Sequence, residues 1–208
     1  MKNLRQTTLS GFFTDPHVPL VADASAIINL NATSHVQALL AVVPHPIIVT
    51  GNAVSELERG VAYGHTDLAQ IEAHIAEGSV QRHNLDASGT DVYERLIYGK
   101  TVDTLDDGEA ATIGYAVSIG GIALLDERKA RYICAKMFPF VEIVSTVDLL
   151  LHPSVEAALG RPALADAVFG ALQDARMRVP HVRLGHVVDL IGRDRARLCP
   201  SLPLSVRS

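Results

Sequence analysis

Short apolar segments alternate with helical patterns from residue 18 to residue 150, and this alternation constrains the fold more than any other feature. Most of the segments are too short for a helix and rich in Val, Ile or Leu, which predicts buried strands. Strands that alternate with helices favour a three-layer α/β/α fold around a central, mainly parallel sheet. The predicted strands are 18–22, 47–49, 79–85, 122–125 and 141–144.

Apolar spacing and capping residues predict the helices between these strands. Residues 31–34 divide the first helical pattern in two, and Thr50 or Asn52 can cap the helix after the second strand. Ser88 is expected to start a later helix, and Gly120 to end another. Helical patterns also occur at 66–77, 129–138, 155–159, 164–176 and 184–191.

The chain of 208 residues is long enough for one domain of ordinary size. We expect an N-terminal arm at 1–17, an α/β domain at 18–151, and a C-terminal helical extension at 152–208 that packs on the same domain. Hydrophobic residues make up 48% of the chain, which is enough for a sizeable core.

Composition excludes several classes of protein. The two cysteines, Cys134 and Cys199, form no Cys-x-x-Cys pair, which argues against a disulfide framework and a structural zinc site. There is no signal-peptide pattern and no apolar run of membrane-spanning length, so we expect a cytoplasmic protein without a membrane partner. The glycine-rich phosphate-binding motifs and the Gly-x-Ser-x-Gly motif are also missing from the sequence.

Charge is divided unevenly along the chain. Residues 1–151 carry 10 Lys and Arg against 18 Asp and Glu, a balance of -8, whereas residues 152–208 carry 8 Arg against 5 acids, a balance of +3. An acidic pocket beside a basic flank could hold metal ions and steer a polyanion toward them.

Acidic residues stand at four junctions between strands and helices. Asp23 and Asp126 each follow a buried strand, Glu56 lies early in a helix, and Asp107 and Glu109 begin a helix of small residues. Ligands bind at the carboxyl edge of a parallel sheet, so we expect these positions to surround one crevice. Each acid also has a structural interpretation, as a helix cap, a turn residue or a partner of the helix dipole.

Clustered carboxylates repel one another unless protons or cations intervene. Oxygen ligands select hard cations such as Mg²⁺ or Mn²⁺, and two such ions about 4 Å apart can activate water and stabilise the leaving oxygen of a phosphodiester. The pattern therefore indicates metal-assisted phosphodiester hydrolysis.

Four acidic blocks follow one another along the chain: Val21-Ala22-Asp23-Ala24-Ser25, Val54-Ser55-Glu56-Leu57, Leu105-Asp106-Asp107-Gly108-Glu109-Ala110 and Leu124-Leu125-Asp126-Glu127-Arg128-Lys129-Ala130-Arg131. Together they resemble the PIN domain, and more narrowly the prokaryotic PIN-like group related to toxin ribonucleases of toxin–antitoxin pairs. The resemblance covers roughly residues 18–150. It implies a Mg²⁺- or Mn²⁺-dependent ribonuclease that is often dimeric.

The resemblance also implies roles for individual residues. The metal-binding and catalytic acids are Asp23, Glu56, Glu109 and Asp126. Asp107 could serve instead of Glu109 or together with it, and Glu127 could replace its neighbour Asp126. Ser25 would support the first carboxylate or the substrate. Independently of the resemblance, the cations Arg128, Lys129 and Arg131 are candidates for binding the phosphate backbone of RNA, or else they lie on a solvated helix face.

The first prediction from the sequence is a metal-dependent endoribonuclease, which could be the toxin of a toxin–antitoxin pair, with RNA, a cognate antitoxin and a second copy of the chain as partners. The alternative is a non-catalytic PIN-fold module that binds RNA or protein. A phosphatase with Asp23 as nucleophile ranks low, because it would need a second Asp where this chain has Ser25.

Overall fold

Five parallel strands form the central sheet in the computed structural model, which describes residues 15–99 and 104–207. Their order across the sheet is β3-β2-β1-β4-β5. The strands are β1 Leu20–Ala22, β2 Ile47–Thr50, β3 Gln81–His83, β4 Ile122–Leu124 and β5 Ile143–Val144. This confirms the predicted α/β fold class, and each strand falls on a predicted segment. Residues 1–14 of the predicted arm lie outside the described residues.

Helices cover both faces of the sheet, so the fold has the predicted three layers. Seven helices connect the strands: α1 Ala24–Asn31, α2 Val36–Val42, α3 Gly51–Val61, α4 Asp67–Ala76, α5 Ala87–Ile97, α6 Asp107–Ile119 and α7 Arg128–Met137. After β5 the described chain is helical: α8 Thr146–Leu150, α9 Pro153–Leu159, α10 Arg161–Gln173, a 3₁₀ turn His181–Arg183, α11 Leu184–Ile191, α12 Arg193–Arg197 and α13 Leu204–Arg207.

Alternation along the strands divides the core into two clusters. Leu20 and Ala22 of β1 face α1–α4 and the C-terminal helices, whereas Val21 faces α5, α6 and α7. Because both faces are covered, β1 and β4 are apolar at every position instead of alternating with polar residues. The acids Asp23 and Asp126 stand just after the carboxyl ends of these two strands.

The C-terminal helices share the first core cluster with the strands. Leu164 and Leu172 of α10 are buried there. Gly170 permits a close approach to α1, since a Cβ at this position would lie 2.6 Å from the carbonyl oxygen of Ala32. In the part of the chain that the structure describes, no helix has the length and apolar character to cross a membrane.

Most predicted helix boundaries agree with the structure. The side chain of Thr50 caps α3 by accepting from the Ala53 N–H, and Gly120 ends α6 with a left-handed φ of 66°. Two boundaries differ. Asp86, not Ser88, caps α5, since its carboxylate accepts from the Gly89 N–H. The pattern at 164–176 ends early, because α10 stops at Gln173.

Candidate active site

The register of the sheet brings the first and last predicted acids together. β1 pairs with β4 so that Ala22 lies opposite Leu124, and the Asp23 N–H donates to the Leu124 carbonyl at 3.3 Å. Asp23 and Asp126 therefore leave neighbouring strands at the same edge. From β1 the chain continues to β2 and β3 on one side of the sheet, and from β4 it continues to β5 on the other side. Open α/β sheets form a ligand crevice at such a reversal of strand order.

Asp23 serves as the N-cap of α1. Its Oδ1 accepts from the backbone N–H groups of Ser25 and Ala26, and its Oδ2 accepts from the Ser25 hydroxyl at 3.1 Å. The capping interpretation is thus confirmed, and Asp23 also lines the crevice. Ser25 lies where the resemblance placed it, beside the first carboxylate.

Asp126 is held by three hydrogen bonds. Its Oδ2 accepts from Asn29 Nδ2 at 2.7 Å and from Thr146 Oγ1 at 2.5 Å, while Oδ1 accepts from the Thr146 N–H at 2.8 Å. Asn29 is on α1 and Thr146 begins α8, so this carboxylate joins two segments that are far apart in sequence. Asn29 also lines the crevice, and sequence reasoning missed both partners.

The start of α6 separates the two acids of the third block. Glu109 is buried and lines the crevice, whereas Asp107 is not among the lining residues. Asp107 accepts instead from the Tyr93 hydroxyl at 2.6 Å and from Asn52 Nδ2 at 3.1 Å. Side chains two positions apart on a helix point in different directions, so only one of the pair can face the crevice.

Glu56 reaches the crevice from α3. It is half-buried and lies against the first turn of α6, where a Cβ at Gly108 would collide with its Oε2. Asp106, which caps α6 by accepting from the Glu109 N–H, also lines the crevice. Sequence reasoning did not single out Asp106, although it stands directly before the predicted pair.

Burial and mutual repulsion raise the pKa values of these acids. Burial, followed by the charge of Asp126, raises the pKa of Asp23 to about 7. Burial, followed by the charges of Asp106 and Asp23, raises the pKa of Glu109 to about 8. Burial likewise raises the pKa of Asp126, against the hydrogen bonds from Thr146 and Asn29. When these groups are ionised, the crevice therefore holds negative charge that the protein itself does not fully compensate.

The crevice has a volume of about 650 Å³ and a basic rim. Lys129 lines it, whereas Arg128 is exposed outside the lining. Arg176 and Arg178 line it as well, from the loop after α10. Buried Met177 anchors that loop, and Arg178 pairs with Glu127 at 3.1 Å. The excess of arginine after residue 152 indicated a basic flank, but it did not show that Arg176 and Arg178 line the crevice.

The donor set fits a hard divalent cation in its chemistry. Carboxylate oxygens and an amide line the crevice without a histidine or a cysteine, which is the composition that Mg²⁺ and Mn²⁺ prefer. The acidic side chains of the crevice are, however, spaced too widely to hold an ion as they stand. Within residues 15–99 and 104–207, no three acidic, histidine or cysteine side chains are grouped closely enough to hold an ion. To be bound, a cation would have to draw these carboxylates closer together, against the repulsion between them that exists without the cation.

Comparison with known proteins identifies the family. A family model described as PIN domain matches residues 19–193, which include the sheet, the crevice and the loop that carries Arg176 and Arg178. Neither the curated proteins nor the solved structures gave a significant match. PIN domains are generally nucleases, and they typically use divalent metals. The order of the acidic blocks, the parallel sheet and the matched residues together show that this chain belongs to the PIN-domain family.

Proposed function

We propose that the protein is a divalent-metal-dependent endoribonuclease that hydrolyses RNA phosphodiester bonds. The observation that supports this most is the convergence of Asp23, Glu109 and Asp126 on one crevice, with raised pKa values that a cation would relieve. Mg²⁺ and Mn²⁺ suit these ligands equally well. The same crevice carries cations on its rim, which suit a phosphate backbone.

The chain's own residues have distinct tasks in this proposal. Asp23, Glu109 and Asp126 would hold the cation, with Glu56 on the α3 side and Asp107 outside the ligand set. A bound cation supplies a Lewis acid for the phosphoryl oxygen and lowers the pKa of water. Thr146 and Asn29 orient the Asp126 carboxylate, and Ser25 orients that of Asp23.

The basic rim would position the scissile phosphate. Arg176, Arg178 and Lys129 approach the crevice from two sides, and cations so placed neutralise backbone charge without reading sequence. Arg178 already pairs with Glu127, so RNA would compete for this guanidinium with a carboxylate at the start of α7.

Cleavage of a labelled single-stranded RNA tests the proposal. Wild-type protein should cleave with Mg²⁺ or Mn²⁺ and not with EDTA, and Asp23→Asn, Asp126→Asn and Glu109→Gln should lose turnover. Exposed Asp91→Asn on α5 and Glu72→Gln on α4 are matched controls that should retain it. Equal activity of Asp23→Asn and Asp91→Asn would refute the catalytic assignment.

A non-catalytic PIN-fold module that binds RNA or protein is the second candidate. The observation that favours it is the spacing of the acids, since no group of three in the described ranges could hold an ion as it stands. Calorimetric titration with Mn²⁺ separates the two candidates. Binding that Asp23→Asn abolishes supports the nuclease, and absence of binding by the wild type supports the module.

The narrower part of the proposal is that the ribonuclease is the toxin of a toxin–antitoxin pair, acts as a homodimer and works in the cytoplasm. Its support is the resemblance of the four acidic blocks. Expression of the wild type should arrest growth of the host cell, whereas Asp23→Asn should not. Sedimentation equilibrium at micromolar concentration should give twice the mass of 22.3 kDa.

A further inference from the structure

The exposed face of α7 differs in charge from the rest of the chain. Residues 128–140 contain four cations and no acid, although the whole chain has a net charge of -5. Arg128, Tyr132 and Lys136 follow one another at intervals of four, so they form one row along the helix, and Lys129 lies beside it. All four side chains are exposed. We refer to these four residues as the α7 stripe.

Packing fixes the direction in which the α7 stripe faces. Ala130, Ile133 and Cys134 are buried in the second core cluster, so the opposite side of α7 is turned toward solvent. Arg131 is not part of the stripe, because its guanidinium donates to the Leu125 carbonyl at 3.1 Å. The buried side of α7 therefore fixes the orientation of the helix, and this keeps the α7 stripe on the protein surface.

An exposed aromatic ring lies within the stripe. Tyr132 is 64% exposed, and the Lys136 ammonium lies 6.0 Å from its ring centroid. Just beyond the helix, Phe140 is 73% exposed. Aromatic rings interleaved with cations on an open surface are the combination that binds single-stranded nucleic acid, because bases stack on the rings and phosphates meet the cations.

The stripe begins at the crevice. Lys129 lines the crevice, and the row from Arg128 to Lys136 extends about 12 Å along the helix axis. On the α5 side, a separate cavity next to Met137 at the end of α7 is lined by both signs of charge, Asp91 and Glu94 together with Arg95. The α7 stripe carries cations and no acid, so it is the more favourable path for a phosphate backbone.

We infer that the α7 stripe is a track for single-stranded RNA that leads the strand toward the crevice. This inference rests on the proposed function and adds the surface along which the RNA approaches the crevice. Arg128, Lys129 and Lys136 contact phosphates, and the Tyr132 ring stacks on an unpaired base. A duplex keeps its bases stacked inside, so the tyrosine favours single strands.

Fluorescence anisotropy with a short labelled oligouridylate in EDTA tests the track without any cleavage. Tyr132→Ala should weaken binding about fivefold or more, whereas Tyr132→Phe should retain it. Replacing both Arg128 and Lys136 by Ala should reduce the slope of log K against log salt by about 1.4. Tyr63→Ala, at an 84% exposed tyrosine after α3, and Arg193→Ala are the matched controls.

A labelled RNA duplex of similar length provides the second arm, and its affinity should not change in Tyr132→Ala. Equal losses for Tyr132→Ala and Tyr63→Ala would overturn the track. So would unchanged RNA affinity of Tyr132→Ala together with a changed oligomer mass, since the stripe would then be a contact between copies. Because these measurements exclude divalent cations, a failure of cleavage by the wild type would count against the proposed function alone.

Discussion

Replacing Asp23 by Asn should stabilise the metal-free protein at neutral and alkaline pH. Asp23 is 2% exposed, and burial and Asp126 raise its pKa from 3.8 to about 7. The folded state thus binds the Asp23 proton more tightly than the unfolded state does. The associated stability is fully present below pH 3.8 and is lost as the pH rises through about 7. At 1.36 kcal/mol per pKa unit, that loss is about 4 kcal/mol.

The asparagine should keep the local structure. Its amide oxygen can accept from the Ser25 and Ala26 N–H groups, as Asp23 Oδ1 does, so the cap of α1 is retained. These bonds are stronger to a charged oxygen than to a neutral one. We therefore expect the free energy of unfolding at pH 8 to increase by about 2 to 4 kcal/mol, and the difference from wild type to disappear near pH 4.

Divalent cations should offset most of this difference in stability. A cation held at 100 times its dissociation constant stabilises the folded wild type by about 2.7 kcal/mol, and Asp23→Asn should gain much less. Urea unfolding followed by circular dichroism at pH 4, 6 and 8, with EDTA or Mg²⁺, measures both effects. Asp91→Asn is the control with an exposed charge. A metal-free Asp23→Asn that is no more stable than wild type at pH 8 would refute the electrostatic argument.

Three further substitutions test how the crevice is built. Thr146→Val removes the hydroxyl hydrogen bond to buried Asp126, keeps the one from the backbone N–H, and should lower the free energy of unfolding by about 1 to 3 kcal/mol in thermal melts, whereas Thr146→Ser should not. Gly108→Ala should weaken Mn²⁺ binding in calorimetry, because the new Cβ displaces Glu56, although alanine favours the helix by about 1 kcal/mol. Arg178→Ala should raise KM for RNA cleavage several-fold with little change in kcat, and unchanged KM would exclude this residue from substrate binding.

The acids of the crevice could be predicted from sequence because each is tied to a local signal. Asp23 and Asp126 follow apolar strands, and parallel strands place their carboxyl ends at one edge. The choice between Asp107 and Glu109 could not be made, because spacing alone does not show which side of α6 faces the crevice. That choice depends on Tyr93, a residue of α5 whose hydroxyl binds Asp107.

The contribution of Arg176 and Arg178 to the basic rim of the crevice could not be predicted from the sequence, for a different reason. Arg176 was the last residue of the helix predicted at 164–176, and Arg178 follows it, but α10 ends at Gln173. The loop that follows is directed by burial of Met177, and its N–H donates to the Ala171 carbonyl at 2.9 Å. Such an arrangement arises from tertiary packing over a long separation in sequence, and local patterns carry no information about it.

The crevice and the α7 stripe should respond differently to cations, and this separates their contributions to RNA binding. Above about pH 8 the clustered acids are ionised and repel a phosphate backbone, so binding inside the crevice requires a divalent cation there, or protonation of the carboxyl groups at lower pH. The stripe has no acid of its own, and its attraction should weaken with any added salt. Low concentrations of Mg²⁺ should therefore strengthen RNA binding by the wild type at constant ionic strength, and Asp23→Asn should lose this gain while keeping the salt-dependent part.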